Sequence, residues 1–261
     1  MNGIDGGELI SPTLTFEAIN QFASKTMKTN VVRVPMTKEI GIDLKTTGQM
    51  VNSKTNMVYL CNPNNPTGVV MNHKELEVFC KETSKKSIVF VDEAYHEYVM
   101  DKQYRSMVSL VNEGYDVLIS RTASKVHGLA GLRVGYAIST PKIIKRLNSY
   151  MNGSLNVVGL RGAIASYKDK RFQKFSIEKN NEGRTIVTDY LDKKGIEYLD
   201  SQTNFIFIKT GIDIKKFQPA MEKHKVLVGR PFPPYTDWCR LSIAKPEEME
   251  SFNKGFNKEL G

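Results

Sequence analysis

Short apolar runs alternate with amphipathic stretches along the first half of the chain. Residues 56–61 (NMVYLC), 87–91 (SIVFV), 116–120 (DVLIS) and 134–138 (VGYAI) are mostly apolar runs of strand length, with little polar alternation. Runs of this kind predict strands buried on both faces. Between the first two, Asn72 has the character of a helix N-cap, with Glu75 three positions on and Leu76, Phe79 and Cys80 following at helical spacing. Strand, helix and strand in succession predict a sheet with helical crossovers, an α/β fold.

After Pro141 the texture changes. Ile143, Ile144, Leu147, Tyr150 and Met151 recur at helical spacing on a basic segment, and a long polar helix is predicted over residues 169–194. Residues 204–208, 226–228 and 240–243 are short strand candidates, and the chain from Pro246 reads as an amphipathic helix through Met249, Phe252 and Phe256. This mixture predicts a second, smaller α+β domain. The expected division is residues 1–165 for the larger domain and 166–261 for the smaller, which the length of 261 residues accommodates.

Composition narrows the class. An apolar content of 40% with 25% charged residues excludes a disordered chain, a collagen and a small disulfide scaffold. No apolar stretch approaches the ~18 residues of a membrane span. The opening residues MNGIDGG lack a basic segment followed by an apolar core, so no export signal is expected and a cytoplasmic setting is. The net charge of +9 is spread over both halves of the chain. Nucleic-acid binders usually concentrate their charge on one element, so no nucleic-acid partner is expected. A diffuse positive field suits anionic small molecules. Cys61, Cys80 and Cys239 are odd in number and widely spaced, which suits neither a disulfide framework nor a zinc site, and no metal is expected.

The chemistry gathers at strand ends, where open α/β sheets bind their ligands. The first candidate strand runs into NPNNPTG (62–68), whose prolines restrict the backbone and whose asparagines present or satisfy amides. The second ends at Asp92 in VDEAYHEY (91–98). The third leads through Ser120, Arg121 and Thr122 into SKVHGLAGLRVGY (124–136). Plain structural readings exist for each residue. Asp92 could cap a helix, Tyr95 could pack in a core, Thr122 and Ser124 could serve turns, and Lys125 could be a loop lysine.

The three motifs, in this order and spacing, resemble those of fold-type I pyridoxal-phosphate aminotransferases, the group that includes aspartate aminotransferase. The subgroup most similar is histidinol-phosphate aminotransferase, and GRPFPP (229–234) with WCRLSI (238–243) extends the resemblance over nearly the whole chain. The resemblance implies a pyridoxal 5′-phosphate enzyme. It would move an amino group between a histidinol-phosphate-like, aromatic or imidazole amino acid and a 2-oxo acid such as 2-oxoglutarate.

The resemblance also implies residue roles. Lys125 would hold the cofactor covalently and move the substrate α-proton, for which the amine must give up its own proton. Asp92 would keep the cofactor ring nitrogen protonated, since a neighbouring carboxylate stabilises the cation. Asn65 and Tyr95 match residues that bond the phenolic oxygen. Arg133, Ser124 and Thr122 match the phosphate site, where a guanidinium can bind two oxygens at once. Phe16 is the candidate ring over the cofactor face, with Leu14 as the alternative placement. Arg240 matches the clamp on the substrate carboxylate. Arg230 matches the arginine for the substrate's phosphate end, although the rigid PFPP at 231–234 departs from the family's pattern. His127 reads as packing. The family is commonly a homodimer with sites completed across the interface.

Family members usually carry a further N-terminal segment, including a loop that grips the cofactor phosphate. No such segment precedes residue 7 in this sequence. The expected architecture is therefore a three-layer α/β/α large domain, incomplete at its N-terminus, with an unpaired sheet edge and an exposed apolar face. Two alternatives stand beside amino transfer: a lyase or decarboxylase on the same scaffold, or a chain without catalytic activity.

Overall fold

The computed structural model describes residues 7–260, so the reading made on the chain's first residues, 1–6, lies outside it. Six strands form the larger sheet: β1 (Glu8–Pro12), β2 (Asn30–Val34), β3 (Thr55–Cys61), β4 (Ile88–Asp92), β5 (Val117–Thr122) and β6 (Gly135–Ile138). Their order is β2-β1-β3-β4-β5-β6. The first five are parallel, and β6 runs antiparallel to β5.

The apolar runs occupy the middle of this sheet, one face of which is buried and the other partly covered. The larger unit's helices are α1 (Glu17–Gln21), α2 (Leu44–Met50), α3 (His73–Thr83), α4 (Val108–Asn112) and α5 (Pro141–Asn148). On one face Val58, Leu60, Val89, Val91, Val117 and Ile119 pack against Leu76, Phe79 and Cys80 of α3 and Leu110 of α4. Each such fully buried side chain contributes roughly 1.5–3 kcal/mol. Tyr59 and Cys61 point the other way, towards Ile19 of α1 and its neighbour Ala23. The side chain of Asn72 accepts the N–H groups of Lys74 and Glu75 at 3.0 and 3.2 Å, so it starts α3 as its position predicts.

Three expectations need correction. Strands β1 and β2 exist where none was expected, because Ser11, Pro12, Asn30 and Arg33 break up their apolar pattern. Strand β6 was read as a further buried strand, yet it is an antiparallel edge with Tyr136 41% exposed. Residues 226–228 form no strand: Leu227 is 82% exposed, and the two strands of the second sheet come from other segments. On the α1 side, the strand starts leave an open groove of about 730 Å³, lined in part by Leu9, Met57, Leu118, Ile143 and Leu147.

The smaller unit is built from α6 (Val157–Lys168), α7 (Lys170–Lys194), β7 (Phe205–Lys209), α8 (Ile214–Glu222), β8 (Trp238–Ser242) and α9 (Pro246–Leu260). Helix α6 runs through residue 165. The antiparallel pair β7–β8 lays Ile206, Ile208, Cys239 and Leu241 against Val187, Leu191, Phe217, Met249, Phe252 and Phe256.

Several contacts join the units beside the strand ends of the larger sheet. Leu14 and Ile40 pack with Phe207, Phe232 and Trp238. The turn after β3 is closed by Gly68, whose carbonyl accepts the N–H of Gln202 at 2.8 Å. Gly68 has φ +76°, and a Cβ there would collide with Ser201, so this position requires glycine. No helix among the described residues is long and apolar enough to cross a membrane.

Candidate active site

Asp92 ends β4 and lies in register between Cys61 of β3 and Ser120 of β5. Its Oδ1 accepts the Ser120 hydroxyl at 2.8 Å and the Ala94 N–H at 3.2 Å. Its Oδ2 accepts the hydroxyl of Tyr59 at 3.2 Å. Burial pushes this carboxyl up from its ordinary value, while Ser120, Tyr59, Ala94 and the charge of Lys125 pull it down. The next residue, Glu93, faces the opposite side and is fully matched. It accepts Nε and Nη2 of Arg121 at 3.1 and 2.8 Å, the Ser106 hydroxyl at 2.8 Å and the Met107 N–H at 2.9 Å.

Lys125 stands on the loop after β5. The loop folds back on itself through Gly128 N–H to Lys125 O and Leu129 N–H to Ala123 O, at 2.9 and 3.0 Å. The Lys125 ammonium lies 4.9 Å from the centre of the Tyr95 ring. Tyr95 is buried, edge-on to Phe205. Burial, and then the charge of Arg240, draw the Lys125 amine down from its ordinary value, against the pull of Asp92. A lowered value is what a nucleophilic lysine requires.

On the adjoining loop, Thr122 donates to the Ser124 hydroxyl at 2.8 Å and accepts the Ser124 N–H at 3.0 Å. Arg133 is exposed in a left-handed conformation and donates to Ala130 O at 2.7 Å. Its charge also reaches Lys125.

Arg240 comes from β8 of the smaller unit. It donates to Oδ1 of Asn65 at 2.7 Å and lies 5.2 and 5.6 Å from the ring centres of Phe205 and Phe232. Its Nε is buried without a partner, and no Arg240–carboxylate ion pair is found among the described residues. Burial lowers its value, and so does Arg230. Arg230 is exposed, 4.3 Å from the Phe232 ring centre, and donates to Pro231 O at 3.0 Å. Two guanidinium groups therefore share one aromatic ring with no acid between them, an arrangement suited to anionic ligands.

The structure thus brings together Asn65, Asp92, Tyr95, Lys125 and Arg240, with Thr122, Ser124 and Arg133 on the neighbouring loop and Arg230 beside Arg240. Phe16 precedes α1 and is 42% exposed, and Leu14 is buried at the junction of the two units. His127 is buried, its Nδ1 2.9 Å from the Ser166 hydroxyl and its ring 4.0 Å from that of Tyr167, which is a packing role. Sequence reasoning missed Tyr59 and Ser120. Their signal was their position: Ser120 is the register partner of Asp92, and Tyr59 lies two residues before another register partner, Cys61.

The donor set fits one kind of ligand. A carboxylate held only by neutral donors suits a cationic ring nitrogen, a lowered amine suits an aldehyde, and an arginine lacking a counterion suits an acid group.

Comparison with known proteins agrees with this chemistry. The family model for aminotransferase class I and II matches residues 3–254. The histidinol-phosphate aminotransferase 2 of Hydrogenovibrio crunogenus is 34% identical over 98% of this chain and 69% of its own length. The histidinol-phosphate aminotransferase of Brevibacillus brevis is 37% identical over 80% of this chain and 57% of its own. Among crystal structures, one from Erwinia carotovora assigned to the histidinol-phosphate aminotransferases superimposes with a TM-score of 0.91 at 33% identity, covering 96% of this chain and 73% of that one. The pyridoxal-5′-phosphate complex of the Sinorhizobium meliloti histidinol-phosphate aminotransferase shares the fold, with a TM-score of 0.86 at 24% identity, covering 97% and 71%.

Proposed function

The chain belongs to the aminotransferase class I and II family, and from that premise we propose that it transfers an amino group between a small amino acid and a 2-oxo acid. The family depends on pyridoxal 5′-phosphate, which when bound supplies an electron sink for the carbanion left at the substrate α-carbon. Lys125 would hold the cofactor and take the proton from the α-carbon. Asp92 would accept a hydrogen bond from the ring nitrogen, Asn65 and Tyr95 would hold the phenolic oxygen, and Arg133, Ser124 and Thr122 would hold the phosphate. Arg240 would clamp the carboxylate of an amino or 2-oxo acid, and Arg230, beside it, would meet the phosphate of a histidinol-phosphate-like donor.

The observation that carries this reading is the pair of unmatched charges near Lys125: Asp92 without a cation in contact and Arg240 without an acid. The names of the relatives favour amino transfer over the lyase alternative. A homodimer completes the site, and the three free, buried thiols fit a cytoplasmic setting.

The test is to incubate the chain with pyridoxal phosphate, reduce it with borohydride and map the adduct by mass spectrometry. The expected result is modification of Lys125. An adduct that persists unchanged in Lys125→Ala would overturn the assignment. Histidinol phosphate with 2-oxoglutarate should then yield glutamate, whereas pyruvate and ammonia released without an acceptor would identify a lyase. Sedimentation of the loaded chain checks the dimer.

A further inference from the structure

We propose that Tyr59 is a positioning residue that shares Oδ2 of Asp92 with the cofactor ring nitrogen and keeps their common proton on that nitrogen. The inference rests on the cofactor reading above and concerns an atom that reading leaves unspecified.

A carboxylate offers about four acceptor positions, two on each oxygen. In Asp92 both positions of Oδ1 are used, by the Ser120 hydroxyl at 2.8 Å and the Ala94 N–H at 3.2 Å. Oδ2 receives only the Tyr59 hydroxyl, at 3.2 Å, among the described residues. The vacant position is therefore on Oδ2, beside that hydroxyl, and a ring N–H arriving at Asp92 has Tyr59 as its neighbour on the same oxygen.

Asp92 and the ring nitrogen share one proton. It resides on the nitrogen, giving a pyridinium beside a carboxylate, or on Asp92, giving a neutral pyridine beside a carboxylic acid. Moving it changes no other bond. Burial favours the neutral pair, and each donor to the carboxylate favours the ionic one. No ion pair with Asp92 is found among the described residues; Lys125 acts on it only from a distance, so the donors in contact are neutral, with the Cys61 thiol also beside the Tyr59 hydroxyl. Tyr59 is well suited to favour the ionic pair. It is fully buried, its ring is held edge-on to Phe90 at 5.3 Å, and burial pushes its phenol well above the ordinary value, so it remains a donor.

Tyr59→Phe keeps the ring and its packing and removes only the hydroxyl. With ring-¹⁵N-labelled pyridoxal phosphate on the loaded chain, the parent should show the nitrogen shift of a pyridinium, and Tyr59→Phe a shift towards neutral pyridine. In the chain without cofactor, ¹³C titration of the Asp92 carboxyl should give a higher midpoint in Tyr59→Phe than in the parent. An unchanged carboxyl midpoint overturns the proposal, and so does an unchanged ¹⁵N shift in the loaded variant. Failure of the parent chain to form any reducible adduct would overturn the cofactor reading instead, and the carboxyl titration would still decide the part played by Tyr59.

Discussion

Asp92 and Glu93 are consecutive acids at the end of one strand, and they live on opposite faces of the sheet under opposite rules. Glu93 is 1% exposed and meets a guanidinium, a hydroxyl and a backbone N–H. Its charge is matched within the chain, and what it does is hold β5 and the segment before α4 against β4. Asp92 meets two hydroxyls and one backbone N–H, with no cation in contact. A matched buried charge is architecture. An unmatched one is tolerated where a ligand is to supply the missing partner. Arg240 repeats the second case with the opposite sign.

The comparison can be broken most severely at Lys125. Lys125→Ala should lose the reducible cofactor adduct and amino transfer completely, while Glu93→Gln, if it folds, should keep the adduct; mass spectrometry after borohydride reads both. On the matched face, Arg121→Ala leaves Glu93 buried and unpaired and should cost about 3–5 kcal/mol, seen as a lower urea midpoint. On the unmatched face, Arg240→Ala should cost the fold little, since it removes one bond to Asn65 and two ring contacts. It should instead lower kcat/KM for the amino donor about 10- to 100-fold, as expected for a lost hydrogen bond to a charged group.

The smallest effect is expected from Asp92→Asn in the chain without cofactor, and its sign is the sharpest test. Burial raises the Asp92 carboxyl in the folded chain. The resulting stabilisation is fully present below the ordinary carboxyl value and is lost as pH rises through the raised folded value. The parent's Tm should therefore fall across that acid window, and Asp92→Asn should remove this component and melt slightly higher at neutral pH. A variant that melted lower at neutral pH would place Asp92 with Glu93, among the structural acids.

How much of this was legible in the sequence follows from what each signal encodes. Strands β3, β4 and β5 were readable because one face is buried and the other largely covered, which leaves an uninterrupted apolar run. Strands β1 and β2 carry polar residues, and β6 pairs on one side only, so periodicity gave no strand for the first two and the wrong environment for the third. Residues 226–228 are apolar, but Val226 and Val228 only lean on the smaller core while Leu227 faces solvent. Lys125, Asp92, Asn65 and Tyr95 sit in dense local motifs, which is what made them candidates. Tyr59 and Ser120 act across strands, and strand register is not written in either residue's own neighbourhood.

The hydrogen bond from Arg240 to Asn65 spans 175 positions of sequence. Contacts of such separation form late in folding, because the chain entropy of closing so large a loop is spent before the contact returns anything. During synthesis Lys125 and its loop emerge well before Arg240, so the part of the candidate site that the smaller unit supplies is the last to be made.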